Sequence, residues 1–357
     1  MNFDYSEEQQ LLADSVRRFL AKDYDFEARR SILSSEEGWS PKAWATLAEM
    51  GVTGLPFPAD FGGFGGGAVD LMGVMEAFGE ALVVEPYLPT VMAGLCVARS
   101  PLAGSVLPGV IEGKARLAFA HTEKGARYDL AAVSTAARQS GGIWILEGEK
   151  PAVLGAPLAD KLVVSARTPD GIALFLTGRK DGKPYRSIDN MRMADLAFHG
   201  DKAEPLGGGL QLIEAVTDFA TALVCAEAVG AMKSACEATL EYLKTRKQFG
   251  VPIGAFQALQ HRMVDMFIAQ EQARSMACLA CSKVDAYNDA KERARAVSAA
   301  KIKIADSARH ISQESVQLHG GMGMSEELKV SHTFRRLTAI AAQFGDAGHH
   351  LARFASL

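Results

Sequence analysis

The hydrophobic period of this chain changes twice, and that limits its possible folds more than any single motif does. From Ser6 onward, Leu11, Leu12, Val16, Phe19 and Leu20 recur at three- to four-residue spacing, which makes one face of a helix, and Ser6 with Gln9 has capping-box spacing at its start. Ser40-Pro41 opens a second helix, with Trp44, Leu47 and Met50 on one side and Gly51 as its stop. Another follows the glycine-rich stretch 62–67 and carries Val69, Met72, Met75 and Phe78. Past residue 114 the period shortens to two. Segments 115–121, 129–137, 143–149, 161–167, 171–177 and 193–200 are rich in β-forming residues and are separated by the turn clusters QSGG, TPDG and KDGKP. Short strands so closely spaced predict a small antiparallel barrel or sandwich. From Gly207 the helical period returns, over about 210–245, 255–285, 288–318 and 326–342, with Gly250-Val251-Pro252 parting the first two. The expectation is an α+β chain with an N-terminal helical domain (1–114), a middle antiparallel β domain (115–205) and a C-terminal four-helix bundle (206–357).

At 357 residues the chain can bury a large core without disulfide or metal staples. Its 38 basic and 42 acidic residues nearly cancel, leaving no field for a polyanion, so nucleic acid is not an expected partner. Five cysteines, an odd number without framework spacing, predict reduced thiols and a cytoplasmic address. The start MNFDYSEEQQ lacks the basic and apolar regions of a signal peptide, and no apolar run is long enough for a bilayer, so no membrane is expected either.

Three short stretches in the last zone bear on chemistry: RKQFG (246–250), FQALQ (256–260) and QLHGG (317–321). A pyrophosphate needs a cation with several donors and backbone N–H groups that nothing crowds. Arg246 supplies a planar fork, and Gly320-Gly321 supplies bare backbone. Glycines at a helix end also serve plain helix packing. The order and spacing of the three stretches, with weaker likenesses in LPFPADFGGFGGG (55–67) and TEKGARYD (122–129), resemble the acyl-CoA dehydrogenase family across nearly the whole chain. The family's members are flavoenzymes that oxidise acyl-CoA thioesters between the α and β carbons. The resemblance implies FAD as cofactor, with Arg246, Phe249, Gln257, Gln317, Gly320 and Gly321 holding the adenosine diphosphate end of a flavin seated in a neighbouring subunit. His319 and Thr122 count among the implied cofactor contacts.

On the flavin-ring side the chain departs from the family. Thr122, Glu123 and Asp129 remain, but Arg127 and Tyr128 replace a Gly-Ser pair, and Ala152 and Leu154 stand where a Trp and a hydroxyl wall the isoalloxazine. Unsatisfied ring atoms are costly when buried, so the chain's own ring pocket is expected to be poor. The catalytic carboxylate is missing too. Counting from Gln317, the family's usual base position falls on Phe344, and the alternative one falls on Ala220. Asp346 and Asp218 lie two residues away, each with helix capping or plain surface exposure as the simpler role.

Other features have structural readings. Cys278 and Cys281 form a lone CxxC inside a helical run, which suits packing rather than a metal. His349-His350 is expected in a mobile tail, GGFGGG in a connecting loop, and Glu227 in a buried ion pair. No catalytic residue is assigned and no metal is expected. The chain is read as an FAD-dependent acyl-CoA dehydrogenase subunit, resembling the small subunits of paired enzymes such as pimeloyl-CoA dehydrogenase. A partner subunit in a heterotetramer and electron-transferring flavoprotein as acceptor are implied. A homo-oligomer with an atypical base such as Asp346, and a non-catalytic acyl-CoA-binding scaffold, remain open alternatives.

Overall fold

The computed structural model describes residues 5–286 and 289–357. The chain begins with α1 (Glu7–Asp23), α2 (Phe26–Ser34), α3 (Pro41–Glu49), α4 (Ala68–Ala81), α5 (Tyr87–Val97) and α6 (Ala103–Ile111). The β region has β1 (Leu117–Ala120), β2 (Ala136–Ser140), β3 (Ile143–Leu154), β4 (Lys161–Thr168), β5 (Gly171–Gly178), β6 (Lys183–Arg186) and β7 (Arg192–Gly207). It is followed by α7 (Leu210–Thr245), a hairpin of β8 (Lys247–Gln248) and β9 (Val251–Pro252), α8 (Gln257–Asp285), α9 (Ala290–His319), α10 (Lys329–Ala342) and α11 (Ala347–Ser356). Helices, a β-rich middle and helices again make the α+β class that the sequence predicts. The start expected at 288 for the third C-terminal helix lies outside the described residues.

The start signals act as their chemistry requires. Ser6 accepts from the Gln9 amide while the Gln9 side chain accepts from the Ser6 amide, closing the capping box, and Ser40 accepts from the Ala43 amide with Pro41 opening α3. Packing divides the chain into two compact units. One takes residues up to Ser31, Ala68–Val83 and Thr221–Leu357; the other takes Ile32–Gly67 and Val84–Ala220.

In the second unit, β4, β2, β3, β7 and β5 pair in sequence, and β5 returns to β4, so the strands close into a barrel. Leu146, Leu162, Val164, Phe175, Leu196 and Phe198 fill it. β1 departs from the antiparallel expectation: it runs parallel to β4, with β2 and β3 intervening in the chain as a crossover. The apolar stretch 129–137 is strand only from Ala136. The Asp129 carboxylate accepts from the Ala131 amide in an Asx turn, and Arg167 donates to the Val133 carbonyl, so this backbone is satisfied outside the sheet.

In the helical unit, α7 is buried on every side through its middle, which explains its lack of one apolar stripe. Glu227 lies in that stretch. Its two oxygens accept from Arg336 Nε and Nη2 of α10, each at 2.6 Å, with both side chains 6% exposed. The expected mobile tail at His349-His350 is overturned: Asp346 accepts from the His349 amide and caps α11, and His350 is buried. The start signal was an Asp preceding a short amphipathic run.

Breaking a buried ion pair from one side strands a charge. Arg336→Met is therefore expected to destabilise the chain by about 3–5 kcal/mol in urea unfolding, while Glu227→Leu/Arg336→Met recovers most of that loss. A single-variant loss below about 1 kcal/mol would show that water reaches the pair.

Candidate functional site

α7 ends at Thr245, and the chain turns at once through the β8–β9 hairpin. Its tip, Phe249-Gly250, has φ of 55° and 81°, the two positive values of a tight hairpin turn. The turn throws Phe249 outward to 90% exposure, its ring meeting only the edge of Phe256 at 6.0 Å. The Ile253 amide donates to the Arg246 carbonyl at 2.8 Å, which folds the strand back toward Gln257, the first residue of α8. Arg246 and Gln257 are both exposed.

The QLHGG stretch meets the last turns of α7, just before this hairpin, through an aromatic contact. His319 is 5% exposed and stacks on Tyr242, one turn before Arg246, at 4.4 Å between centroids. Its Nδ1 donates to the Ser315 carbonyl at 2.8 Å, and burial pushes its pKa below the ordinary histidine value. The ring is thus a neutral spacer between the ends of α7 and α9. Arg262 of α8 adds a bond of 2.5 Å to Glu314 of α9.

Beyond His319 the chain enters a 3₁₀ turn, Gly320–Met324. A Cβ built on Gly320 or Gly321 would meet nothing of this chain within 4 Å, whereas one on Gly323 would lie 2.5 Å from the Val316 carbonyl oxygen. Gly323 is therefore the packing glycine, and Gly320-Gly321 is open backbone facing outward. Gln317 is exposed beside it. Open amides and an exposed guanidinium suit the pyrophosphate of FAD, so at this end of the chain the residues fit the group.

The flavin-ring side is built differently. Thr122 is exposed in the loop after β1, and Glu123 next to it is buried. Glu123 accepts from Lys150 Nζ at 2.6 Å, Ser134 Oγ at 2.5 Å and the Thr135 amide at 3.0 Å. Burial opposes its charge, but these bonds outweigh it and hold the carboxyl down to about 2. Lys150 is fully buried and also donates to Ser165 Oγ and the His121 carbonyl. Desolvation lowers it to about 8 despite Glu123, so the pair is ionised near neutrality. Ser165 Oγ also lies at hydrogen-bond distance, 2.8 Å, from His121 Nδ1, and His121 stays neutral. Burial first, then Lys150, depress His121 to about 4.

This network ties the 122–135 loop to β3, but the β3 positions that the resemblance sets against the ring have no matching chemistry. Ala152 has φ of 54° at a break in the β3–β7 register, with its amide on Asp195. Leu154 packs against the buried cluster of Leu33, Val84 and Met191. Arg127 is exposed with φ of 50°, and Tyr128 is half-buried. No aromatic face or hydroxyl is supplied at 152 or 154, so these residues do not fit a buried isoalloxazine ring.

The positions where the resemblance puts the base hold no carboxylate. Ala220 is buried in α7, and Phe344 sits in the turn between α10 and α11 with φ of 60°. Asp346 is engaged as the α11 cap, and Asp218 is buried in α7. Cys278 is half-buried and Cys281 buried, and burial raises both thiols. Sequence reasoning missed Tyr242, Lys150 and Lys301. Lys301 is visible afterwards as a lysine in line with the apolar face of Val297, Ile304 and Ala308 on α9.

Helices, a closed β barrel and helices again, with open glycine backbone and an exposed arginine that suit a pyrophosphate, point to a flavoprotein dehydrogenase class. Family profiles agree: the acyl-CoA dehydrogenase N-terminal domain matches residues 6–103, the middle domain 118–200 and the C-terminal domain 207–355. The chain belongs to the acyl-CoA dehydrogenase family, whose characterised homologues are FAD-dependent oxidoreductases acting on CH–CH bonds of acyl-CoA. It is 31% identical over 332 residues to acyl-CoA dehydrogenase IpdE2 of Mycobacterium tuberculosis, covering 92% of this chain and 91% of that protein. Among solved structures, it matches a Tcur3481-Tcur3483 steroid ACAD variant at TM-score 0.90 with 28% identity, covering 98% of this chain and 97% of that one. It also matches PigA with FAD and proline at TM-score 0.88 with 27% identity, covering 100% and 98%. No helix among the described residues is long and apolar enough to cross a membrane.

The neutral state of His121 has a signed consequence. An unfolded histidine takes its proton near 6.5, the folded one only near 4, so between these values the unfolded chain binds more protons and stability falls as pH drops. His121→Asn should flatten the stability slope from pH 6.5 to 4 by up to about 1.4 kcal/mol per pH unit in urea titrations at stepped pH. An unchanged slope would place the proton elsewhere.

Proposed function

We propose that this chain is the small subunit of a heteromeric acyl-CoA dehydrogenase, taking part in α,β-dehydrogenation of an acyl-CoA thioester and closing over the adenosine end of an FAD whose ring lies in the partner. The observation that carries this reading is a split: Arg246, Gln257 and Gln317 are exposed and Gly320-Gly321 is open backbone, while positions 344 and 220 hold Phe and Ala and positions 152 and 154 hold Ala and Leu. Held in this way, FAD would supply the acceptor for the hydride lost from the acyl β-carbon. This chain's contribution is binding. Arg246 neutralises the pyrophosphate, the Gly320-Gly321 amides donate to its oxygens at close range, Gln317 and Gln257 supply side-chain amides, and Phe249 offers an aromatic face. His319 positions the turn from behind, and Thr122 is the surviving donor on the ring side.

The surroundings of the anchor support a partner. Val264, Phe267 and Ile268 share one face near the start of α8 and are exposed, as are Met322 and Met324 after the glycines and Phe256 beside Phe249. Exposed large apolar side chains on one face of α8, and others flanking the glycine turn and the hairpin tip, suit a covering partner. The resemblance to a steroid ACAD named for two gene products supports a heterotetramer. A homo-oligomer using Asp346 as base is less well supported, since Asp346 already caps α11. The reading takes 1–114, 115–205 and 206–357 as the working domains, a cytoplasmic location, and electron-transferring flavoprotein as acceptor.

The purified chain alone should show negligible acyl-CoA oxidation and a mass above the monomer in light scattering. Robust turnover without a partner would overturn the proposal. In the assembled complex, Arg246→Ala should weaken FAD binding ten- to a hundredfold, the loss of a charge-assisted contact of about 1.5–3 kcal/mol. Gly321→Val should expel flavin without lowering the melting temperature, because its Cβ meets nothing inside the chain. A lowered melting temperature with flavin retained would make Gly321 a packing residue instead.

A further inference from the structure

The turn between α10 and α11 is held far more firmly than a loop carrying Phe344 requires. Lys301 of α9 is fully buried, and its Nζ donates to the Ala341 carbonyl at 3.2 Å and the Gly345 carbonyl at 2.6 Å. No carboxylate is among those bonds. The ammonium instead serves the open carbonyls at the C-terminal end of α10, where the helix dipole favours a cation. From the other side, His350 Nε2 lies 3.2 Å from the Phe344 carbonyl and so must be its donor, which leaves Nδ1 to accept from Ser298 Oγ at 3.3 Å. Ser298 and Lys301 lie one turn apart on α9, so one helix face secures three carbonyls of the turn, one of them through His350.

These bonds keep an unusual backbone in place. Phe344 has φ of 60°, a left-handed conformation that is uncommon for a bulky residue and persists only where its surroundings over-determine it. Gly345 follows with φ of 125°, and a Cβ there would lie 2.6 Å from His350 Nε2. A plain connection between two helices needs neither the strain nor a buried cation.

We propose that Lys301 is a positioning residue which, with His350, preorganises residue 344, so that the turn is an intact seat for a proton-abstracting side chain although this chain places Phe there. The proposal rests on the family reading only in taking 344 as the base position; the clamp itself is read from the bonds. A carboxylate installed at 344 would take the α-proton of an acyl-CoA thioester, leaving an enolate, and the enolate would recover a proton from solvent. Proton exchange of this kind needs no net oxidation and no electron acceptor.

Two measurements test it on the full chain. In amide hydrogen exchange followed by mass spectrometry, Lys301→Met should speed exchange across 343–349 at least tenfold while peptides from the middle of α9 and α10 stay protected. Lys301→Gln, which keeps a donor, should restore part of the protection and guards against a Met variant that fails to fold. Unchanged exchange at 343–349 in both variants overturns the clamp. In deuterated water, Phe344→Glu should incorporate deuterium at the α-carbon of butyryl-CoA at least tenfold faster than the unaltered chain, and adding Lys301→Met should abolish that gain. Equal incorporation with and without Lys301 overturns the positioning role. Calorimetric titration of butyryl-CoA into the Phe344→Glu chain separates the two readings: binding without a gain in deuterium overturns the seat at 344, and hydrogen exchange decides the clamp whatever the fate of the subunit reading.

Discussion

The bidentate bond between Glu227 and Arg336 fixes the frame on which both functional ends of the helical unit hang. α7 carries Glu227 and runs on into the hairpin that presents Arg246. α10 carries Arg336 and ends in the turn that presents Phe344. Two charges buried to this degree hold together only with good geometry, and here both carboxylate oxygens are matched by two guanidinium nitrogens. Apolar packing between two helices would tolerate sliding by a fraction of a turn; a fork on a carboxylate does not. The register of α7 against α10 is thus set at one point, and α9 transmits it to the glycine turn through His319 on Tyr242 and to the 343–346 turn through Lys301.

Buried ions recur as fastenings in this chain, each solved by different chemistry. Glu123 and Lys150 satisfy one another and the loop behind them, so a charged pair pins the 122–135 segment to β3. Lys301 donates to backbone carbonyls and has only the more distant charge of Asp346 to oppose its desolvation. Desolvation lowers both lysines to about 8 even though neighbouring negative charge opposes it. Neither segment forms regular secondary structure of its own, and regular hydrogen-bond ladders are what otherwise make such fastenings unnecessary.

The sequence was most legible where hydrophobic period and local chemistry agree. The capping box at Ser6, the long C-terminal helices and the helix–β–helix order all follow from patterns a few residues wide. It was least legible where one side chain diverts the backbone: Asp129 turns an apolar run out of the sheet, and Asp346 starts a helix where a tail was expected. β6 was missed because all four of its residues are exposed and nothing alternates. At the candidate site, Gly320-Gly321 could be read for bare backbone, but the difference between an open glycine and the packed Gly323 depends on the distance to Val316, which no local pattern records. The roles of Lys150 and Lys301 depend on partners 15 to 44 residues away, so they too were out of reach.

The exposure of the anchor is itself an argument about assembly. A guanidinium and a few amides in open water bind a pyrophosphate weakly, because solvent competes for every bond and salt screens the charge. The same contacts strengthen once water is excluded. In the proposed reading the partner supplies that exclusion by covering Phe249, Phe267, Met322 and Met324, so the surface that shields the phosphates is the surface that joins the subunits. Cofactor and partner then bind the same state of this chain, and each must raise the affinity of the other by the same factor.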